Sequence, residues 1–559
     1  MTSCNTDSLV FGKPRFNDSS LAKTVKRESE EAAWREAFQR FGTQAPEHVS
    51  GDFSVAFRQP DGAAFLAVDR FAIRSLCYRQ VGNQLLFAER ADQLADASTE
   101  IDPQAIFDYL YSHAIPSPRT IYKGIYRVPP AHYVLFKNSR LTVAPYWIPA
   151  FEEVSPPSFD QLRDEFRTLL QQATARQLNG GKAGCFLSGG TDSSTVAGMT
   201  GLAHGTPAAT YSIGFEAEGY DEMEFARIAA KRFNTEHHEY YVTPADLVRS
   251  IPMVAASYDQ PFGNSSALPA YYCAKMAKDD GVTRILAGDG GDELFGGNSR
   301  YAKQRVFDWY QHIPGPVRRG LMEPLLSTSL AGSLPVIRKA SSYVEQASVP
   351  MPDRLQMYNL ITRLGIEKTL TKEFLVQVNI SSPLQHQRNV WAGAQTANNT
   401  NRELSFDWRY TLAESDLPKV CGTTRLAGLE VGFPMLDDDL LAFSLRLPVD
   451  YKLKGLKLRW FFKEALRGFL PDEIITKKKQ GFGLPFGVWA TRNDALLKLA
   501  SESVRSLVDR GILRADFVDD LLTKRLLEHP GYFGEMIWIS MMLEQWLQAH
   551  APAFSVSKN

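Results

Sequence analysis

Apolar and polar residues alternate in short runs over the first 150 positions, as in Asp52-Phe53-Ser54-Val55-Ala56-Phe57, Ala64-Phe65-Leu66-Ala67-Val68 and Gln84-Leu85-Leu86-Phe87. This period of two, broken by polar turns, predicts a β-rich layer. From Ser29 to Phe41 the apolar spacing is that of an amphipathic helix. Pro149 to Pro157 combines prolines with polar residues and predicts an extended linker, which divides the chain into domains at 1–150 and 158–550. Beyond the linker the period alternates. Phe159 to Leu178 predicts a helix, Ala183 to Leu187 a buried strand, Ala209 to Gly214 another, Asp221 to Phe233 a helix and Thr283 to Ala287 a strand. Such alternation predicts an α/β fold with a doubly wound parallel sheet, whose ligands bind at the carboxyl ends of the strands. Residues 301–417 carry no strand signal and predict a large helical part. Met536 to Trp546 has the spacing of a packing helix.

Composition narrows the function classes. A chain of 559 residues is too long for one core. Its net charge of −1 gives no long-range attraction to nucleic acid or to a membrane surface, so neither is an expected partner. Five scattered cysteines, Cys4, Cys77, Cys185, Cys273 and Cys421, form no Cys-x-x-Cys pair. They indicate neither a disulfide framework nor a zinc site and suit a reducing cytoplasm. No signal-like or membrane-length apolar stretch occurs, so a cytoplasmic location is expected.

Candidate chemistry concentrates after the predicted strands. Ser188-Gly189-Gly190-Thr191-Asp192-Ser193-Ser194 follows Cys185-Phe186-Leu187 and opens a helix, a placement that turns backbone N–H groups and the positive helix end towards an anion. It lacks the Gly-Lys-Ser/Thr of a phosphate loop for γ-phosphoryl transfer and the GxGxxG of a dinucleotide fold. Gly288-Asp289-Gly290-Gly291-Asp292-Glu293 follows the strand Ile285-Leu286-Ala287 and brings acidic residues to the same sheet edge. Asp192 and Asp292 together suit Mg²⁺ on phosphates; an Asx-stabilised turn is the other reading of the Gly-Asp segment. Lys477-Lys478-Lys479-Gln480-Gly481-Phe482-Gly483 has the composition of a loop that closes over a phosphate, with Lys477 and Lys478 read as a solvated basic turn. Gly428 to Asp437 sets Glu430 in a buried-looking segment, either a wall or a substrate contact. In His237-His238-Glu239, neighbouring histidines of a strand point to opposite faces and cannot chelate one ion together.

These blocks, in this order, resemble the synthetase domain of the asparagine synthetase family, from about Gln161 to Trp546, and Ser188 to Ser194 resembles the PP-loop of ATP pyrophosphatases. The resemblance implies an ATP- and Mg²⁺-dependent ligase. A carboxylate attacks the α-phosphate of ATP, pyrophosphate departs, and an amine or ammonia captures the acyl-adenylate. It implies that Ser188, Gly189, Gly190, Asp192, Ser193 and Ser194 hold the phosphates and that Leu187, Ile213, Ala287 and Gly288 hold the nucleoside. It further implies Asp192 and Asp292 as Mg²⁺ ligands, Lys479 as the lysine that stabilises adenylation, and Asp289 as the proton acceptor near the reacting carboxylate. Gly432 departs from the family, which carries arginine there, and so puts recognition of free aspartate in doubt.

The N-terminal part resembles the family's class II glutaminase in Val49-Ser50-Gly51-Asp52-Phe53, Val68 to Tyr78 and Phe87-Ala88-Glu89, which implies a truncated Ntn-type αββα layer. Glutaminases of this type need cysteine directly after the initiator methionine. Position 2 is threonine and Cys4 is the nearest thiol, so the expectation is a scaffold without glutaminase chemistry; a misassigned gene start is the alternative. A member of this kind is similar to β-lactam synthetases and to lasso peptide cyclases, which activate an Asp or Glu side chain of a precursor peptide to form a macrolactam. The expected activity is such a ligation, with asparagine synthesis from aspartate and ammonia as an alternative and a silent regulatory homologue as a second.

Overall fold

The computed structural model describes residues 7–152, 157–178, 180–217, 219–311, 314–317, 335–478 and 483–556. Near the N-terminus five antiparallel strands lie in the order Ser8–Gly12, Phe53–Arg58, Ala64–Val68, His132–Lys137, Arg140–Pro145. Both faces of this sheet are buried, so its central strands are apolar or small at nearly every position. Phe53, Val55, Phe57, Phe65 and Ala67 lie under the helices Ser19–Arg27 and Glu30–Phe41 with Trp34, while Ala56, Leu66, Val68, Val134 and Phe136 pack on Tyr78, Leu85 and Phe87 of a three-stranded sheet. Ser29 caps the second helix by accepting the Ala32 N–H, the boundary that its residue type predicts.

Asp69 fixes the turn that leaves Ala64–Val68. Its buried carboxylate accepts backbone N–H groups of Phe53 at 3.3 Å, Phe71 at 3.0 Å, Ile73 at 3.1 Å and Arg74 at 3.2 Å.

Five parallel strands form the second sheet, in the order Glu236–Val242, Ala209–Phe215, Ala183–Phe186, Arg284–Leu286, Glu430–Gly432. The chain runs outwards from Ala183–Phe186 in one direction and then returns to add strands on the other side. That reversal opens a crevice at the carboxyl ends of Ala183–Phe186 and Arg284–Leu286. The α/β class with a large helical part is as the sequence predicts: helices run from Phe159–Gln177 to Ala267–Asp279 around the sheet, and the described residues between Ser299 and Ala427 are mostly helical. Among the described residues no helix is long and apolar enough to cross a membrane.

The two sheets are not independent bodies. The helix Pro103–Ser112 belongs to the large core, and its Tyr109 hydroxyl donates to the Ile539 carbonyl at 2.8 Å, inside the helix Pro530–His550. Across the same boundary Arg70 meets Asp438 at 2.7 Å, the Gly51 N–H donates to Asp438 at 2.6 Å, and Arg15 reaches Asp437, which Arg176 of the second part also holds.

Asp69→Asn leaves at least one oxygen's pair of buried N–H donors facing an amide nitrogen, at a cost of about 2 kcal/mol or more. The expected outcome is a lower thermal unfolding midpoint, measured by circular dichroism; an unchanged midpoint shows that the turn does not depend on this carboxylate.

Candidate active site

The helix Thr191–His204 begins at the mouth of the crevice with Gly190 as its cap, and glycine provides no side chain to occupy the first-turn N–H groups. Those donors and the helix dipole therefore face outward. Gly189 has a left-handed φ of 67°, and a Cβ there would collide with the backbone of Phe225 and Ala226. Ser193 closes the turn: its hydroxyl accepts the Ser188 N–H at 3.2 Å and lies 3.1 Å from the Ser188 hydroxyl. The Ser194 hydroxyl is buried and has no protein partner.

From the next strand, Gly288 runs directly against this helix start. A Cβ at Gly288 would lie 2.8 Å from the Ser193 nitrogen and 2.9 Å from the Asp192 carbonyl carbon. The short helix Gly291–Phe295 then carries Asp292 to Asp192. One guanidinium joins the two carboxylates. Arg459 Nη1 donates to Asp192 Oδ2 at 2.6 Å, to Asp292 Oδ1 at 2.8 Å and to Thr191 Oγ1 at 2.9 Å, and Nη2 also bonds Asp192. Burial opposes the charge of Arg459, but the two aspartates outweigh it and hold the guanidinium firmly protonated. Side chains at Gly291 or Gly297 would intrude on these carboxylates. Arg459 carries no motif and is one of two site residues that the sequence does not reveal; its signal is a left-handed φ of 54°, which the sequence does not display.

Deeper in the crevice Asp289 faces Lys419 Nζ at 3.4 Å, and Lys419 reaches Asp416 at 3.3 Å. Burial raises the Asp289 carboxyl above its ordinary range, Asp416 adds to the rise, and Lys419 opposes it. Glu293 is buried and, first through desolvation and then through Asp292, Asp416 and Asp407, shifted well upward. Lys419 was not anticipated from sequence either.

Leu187, Ile213 and Ala287 are buried beside the same edge, with the Ala287 N–H donating to the Gly432 carbonyl at 2.9 Å. Ser188 to Ser194, Leu187, Ile213, Ala287, Gly288, Asp289 and Asp292 therefore gather at one sheet edge. Glu430 does not join them. It pairs in register with Arg284 at the amino ends of the strands, where it bonds Arg284 at 2.8 Å and Lys13 at 3.6 Å. Gly432 leaves room for Arg284 and Gln177, since a Cβ would lie 2.6 Å from Gln177 Oε1 and 3.1 Å from Arg284 Nε. Lys479 and Cys4 lie outside the described residues. Lys477 departs from the expected solvated turn: its side chain, 9% exposed, meets Glu222 at 3.2 Å and covers the Phe225 ring at 4.4 Å, because Glu222 and Phe225 adjoin the Gly189 turn. His237 and His238 point to opposite faces; His238 lies among Glu236, Asp280 and the Tyr211 ring, where Lys182 already neutralises Asp280 at 2.8 Å.

Comparison with known proteins gives two family models, one described as asparagine synthase over residues 165–548 and one as a glutamine amidotransferase domain over residues 19–147. "Asparagine synthetase (glutamine-hydrolyzing) 1" of Bacillus subtilis (strain 168) is 24% identical over 531 residues, 94% of this chain and 81% of that protein. "Asparagine synthetase (glutamine-hydrolyzing) 3" of the same organism is 22% identical over 574 residues, covering 97% and 85%. "Amidase chry2" of Gibberella zeae is 26% identical over 512 residues, covering 81% and 72%.

Gly288→Ala places a methyl group against backbone atoms that cannot swing away, a strain of about 1–3 kcal/mol. The variant is expected to unfold at a lower temperature, measured by circular dichroism; an unchanged midpoint shows that this contact does not constrain the crevice.

Proposed function

The chain belongs to the asparagine synthase family of ATP-dependent C–N ligases, and from that premise we propose that it is an AMP-forming amide ligase whose N-terminal domain serves as a scaffold. The observation that carries this reading is the meeting of a serine-rich helix start with two carboxylates at the sheet's switch point. The N–H groups after Gly190 and the hydroxyls of Ser188, Ser193 and Ser194 hold phosphate oxygens; the partnerless, buried Ser194 hydroxyl suits such a ligand. Leu187, Ile213, Ala287 and Gly288 flank the nucleoside. The donor set of Asp192 and Asp292, two carboxylates within reach of one cation, fits Mg²⁺, which supplies charge neutralisation to the phosphates. An oxygen of the substrate carboxylate attacks the α-phosphorus and the bond to the β-phosphate breaks. Lys479 offsets the charge of the departing pyrophosphate. The amine nitrogen then attacks the acyl carbon, AMP leaves, and Asp289 takes the amine's proton, a role that its raised pKa favours.

The amine comes from elsewhere than glutamine hydrolysis. In support, burial raises the thiols of all four described cysteines, Cys185 and Cys421 to about 12, which leaves none as a ready nucleophile. The carboxylate is assigned to an Asp or Glu side chain of a peptide. Support comes from the residue type at Gly432, which supplies no guanidinium for free aspartate. A second reading, asparagine formation from aspartate and ammonia, is favoured by the names of relatives that span most of the chain.

The test is release of AMP and pyrophosphate from Mg·ATP with aspartate, supplied with ammonia, glutamine or neither, with mass detection of any amide. Absence of aspartate turnover by folded protein is expected; asparagine formed from ammonia selects the second reading. With whichever carboxylate is turned over, Asp192→Asn is expected to lower AMP formation at least about 100-fold. Cys4→Ala is expected to leave amine-dependent turnover unchanged, and loss of glutamine-dependent turnover in that variant would restore glutaminase chemistry to the N-terminal domain.

A further inference from the structure

Arg459 occupies an unusual position for a cation in a site that must attract phosphates. Its side chain is only 5% exposed, and its guanidinium bonds oxygens of both Asp192 and Asp292, the carboxylates proposed to hold the metal. Several features fix it there. The residue's backbone N–H donates to the Gly296 carbonyl at 3.1 Å, its left-handed φ turns the chain sharply into the helix Trp460–Ala465, and its guanidinium lies 4.0 Å from the Phe462 ring centroid. Gly291 and Gly297 leave the volume that the arginine and the carboxylates fill. Its Nε is buried and has no protein acceptor.

Formal charge gives this arrangement a consequence. Two carboxylates and one guanidinium sum to a single negative charge, which the half-buried Lys463 beside them at most cancels, so without metal the cluster gives a polyphosphate no net attraction. A divalent cation on the same carboxylates makes the cluster positive, and Arg459 then stands as an additional positive group beside the phosphate loop. We propose that Arg459 is a charge-switching residue of the phosphate site: it holds the two carboxylates together and competes with a lone divalent cation, and it binds phosphate once the metal nucleotide arrives. This rests on the nucleotide reading above and names an anion-binding residue that the sequence motifs do not include. The inference predicts opposite signs for two affinities. Losing the guanidinium favours the bare ion, because a competitor is gone, and disfavours the metal nucleotide, because a phosphate partner is gone.

The experiment measures free Mn²⁺ by electron paramagnetic resonance during titration of wild type, Arg459→Gln and Arg459→Lys, first with Mn²⁺ alone and then with Mn·ATP. Arg459→Gln is expected to bind Mn²⁺ alone at least about tenfold more tightly and Mn·ATP at least about tenfold more weakly, a tenfold change being about 1.4 kcal/mol. Arg459→Lys, which keeps the charge without the fork, is expected to fall between and serves as the test if the glutamine variant does not fold. Unchanged or weaker binding of Mn²⁺ alone, or Mn·ATP binding equal to wild type, overturns the proposal. Failure of wild type to bind Mn·ATP at all would instead sink the nucleotide reading itself.

Discussion

A buried guanidinium shared by two aspartates is the interaction on which the candidate site depends. Asp192 opens the helix Thr191–His204 and Asp292 lies in the helix Gly291–Phe295, so Arg459 ties together the ends of two neighbouring strands and the segment before Trp460–Ala465. Removing one partner of such a buried set leaves an uncompensated charge, commonly a loss of several kcal/mol. The surrounding glycines follow from the same constraint. Gly288, Gly291 and Gly297 stand where any side chain would force the three charges or their backbones apart.

The strands and helices of the parallel sheet were legible because their signals are local. Runs such as Ala183–Phe186 and Ala209–Phe215 are rich in apolar and small residues and bounded by glycine or polar turns, and the serine-glycine segment sits directly between a strand and a helix. Asp192 and Asp292 were legible for the same reason, each lying just after a strand that the pattern predicts. Arg459 and Lys419 were not, since each reaches the site from far along the chain through tertiary packing; Arg459 lies 267 residues from Asp192 and Lys419 lies 130 from Asp289. Glu430 shows the converse failure. It follows a motif-like segment, yet strand register sets it beside Arg284, at the end of the sheet remote from the crevice.

In the N-terminal layer two different cores press on one sheet and make its central strands apolar or small on both faces, yet sequence spacing suggests a cleaner boundary than packing respects. Asp437 and Asp438, at the start of the helix Asp438–Arg446, hold Arg15, Arg70 and Gly51 of the first layer, and Arg176 reaches Asp437 and Asp439 from the second. Ions at this junction orient the layers, while Pro103–Ser112 adds apolar burial that neither part completes alone.

The bond from Tyr109 to Ile539 spans 430 residues, and the helix that contains Tyr109 packs on Leu360–Leu364, Ser382–Ala392 and Pro530–His550, all made long after it. During synthesis, therefore, the early helix leaves the ribosome without its cover and waits, at ordinary elongation rates, for tens of seconds. The chain thus carries a long interval in which a greasy surface is open to chaperones or to neighbouring nascent chains, and its yield in a cell depends on how that interval is managed as much as on the stability of the finished molecule.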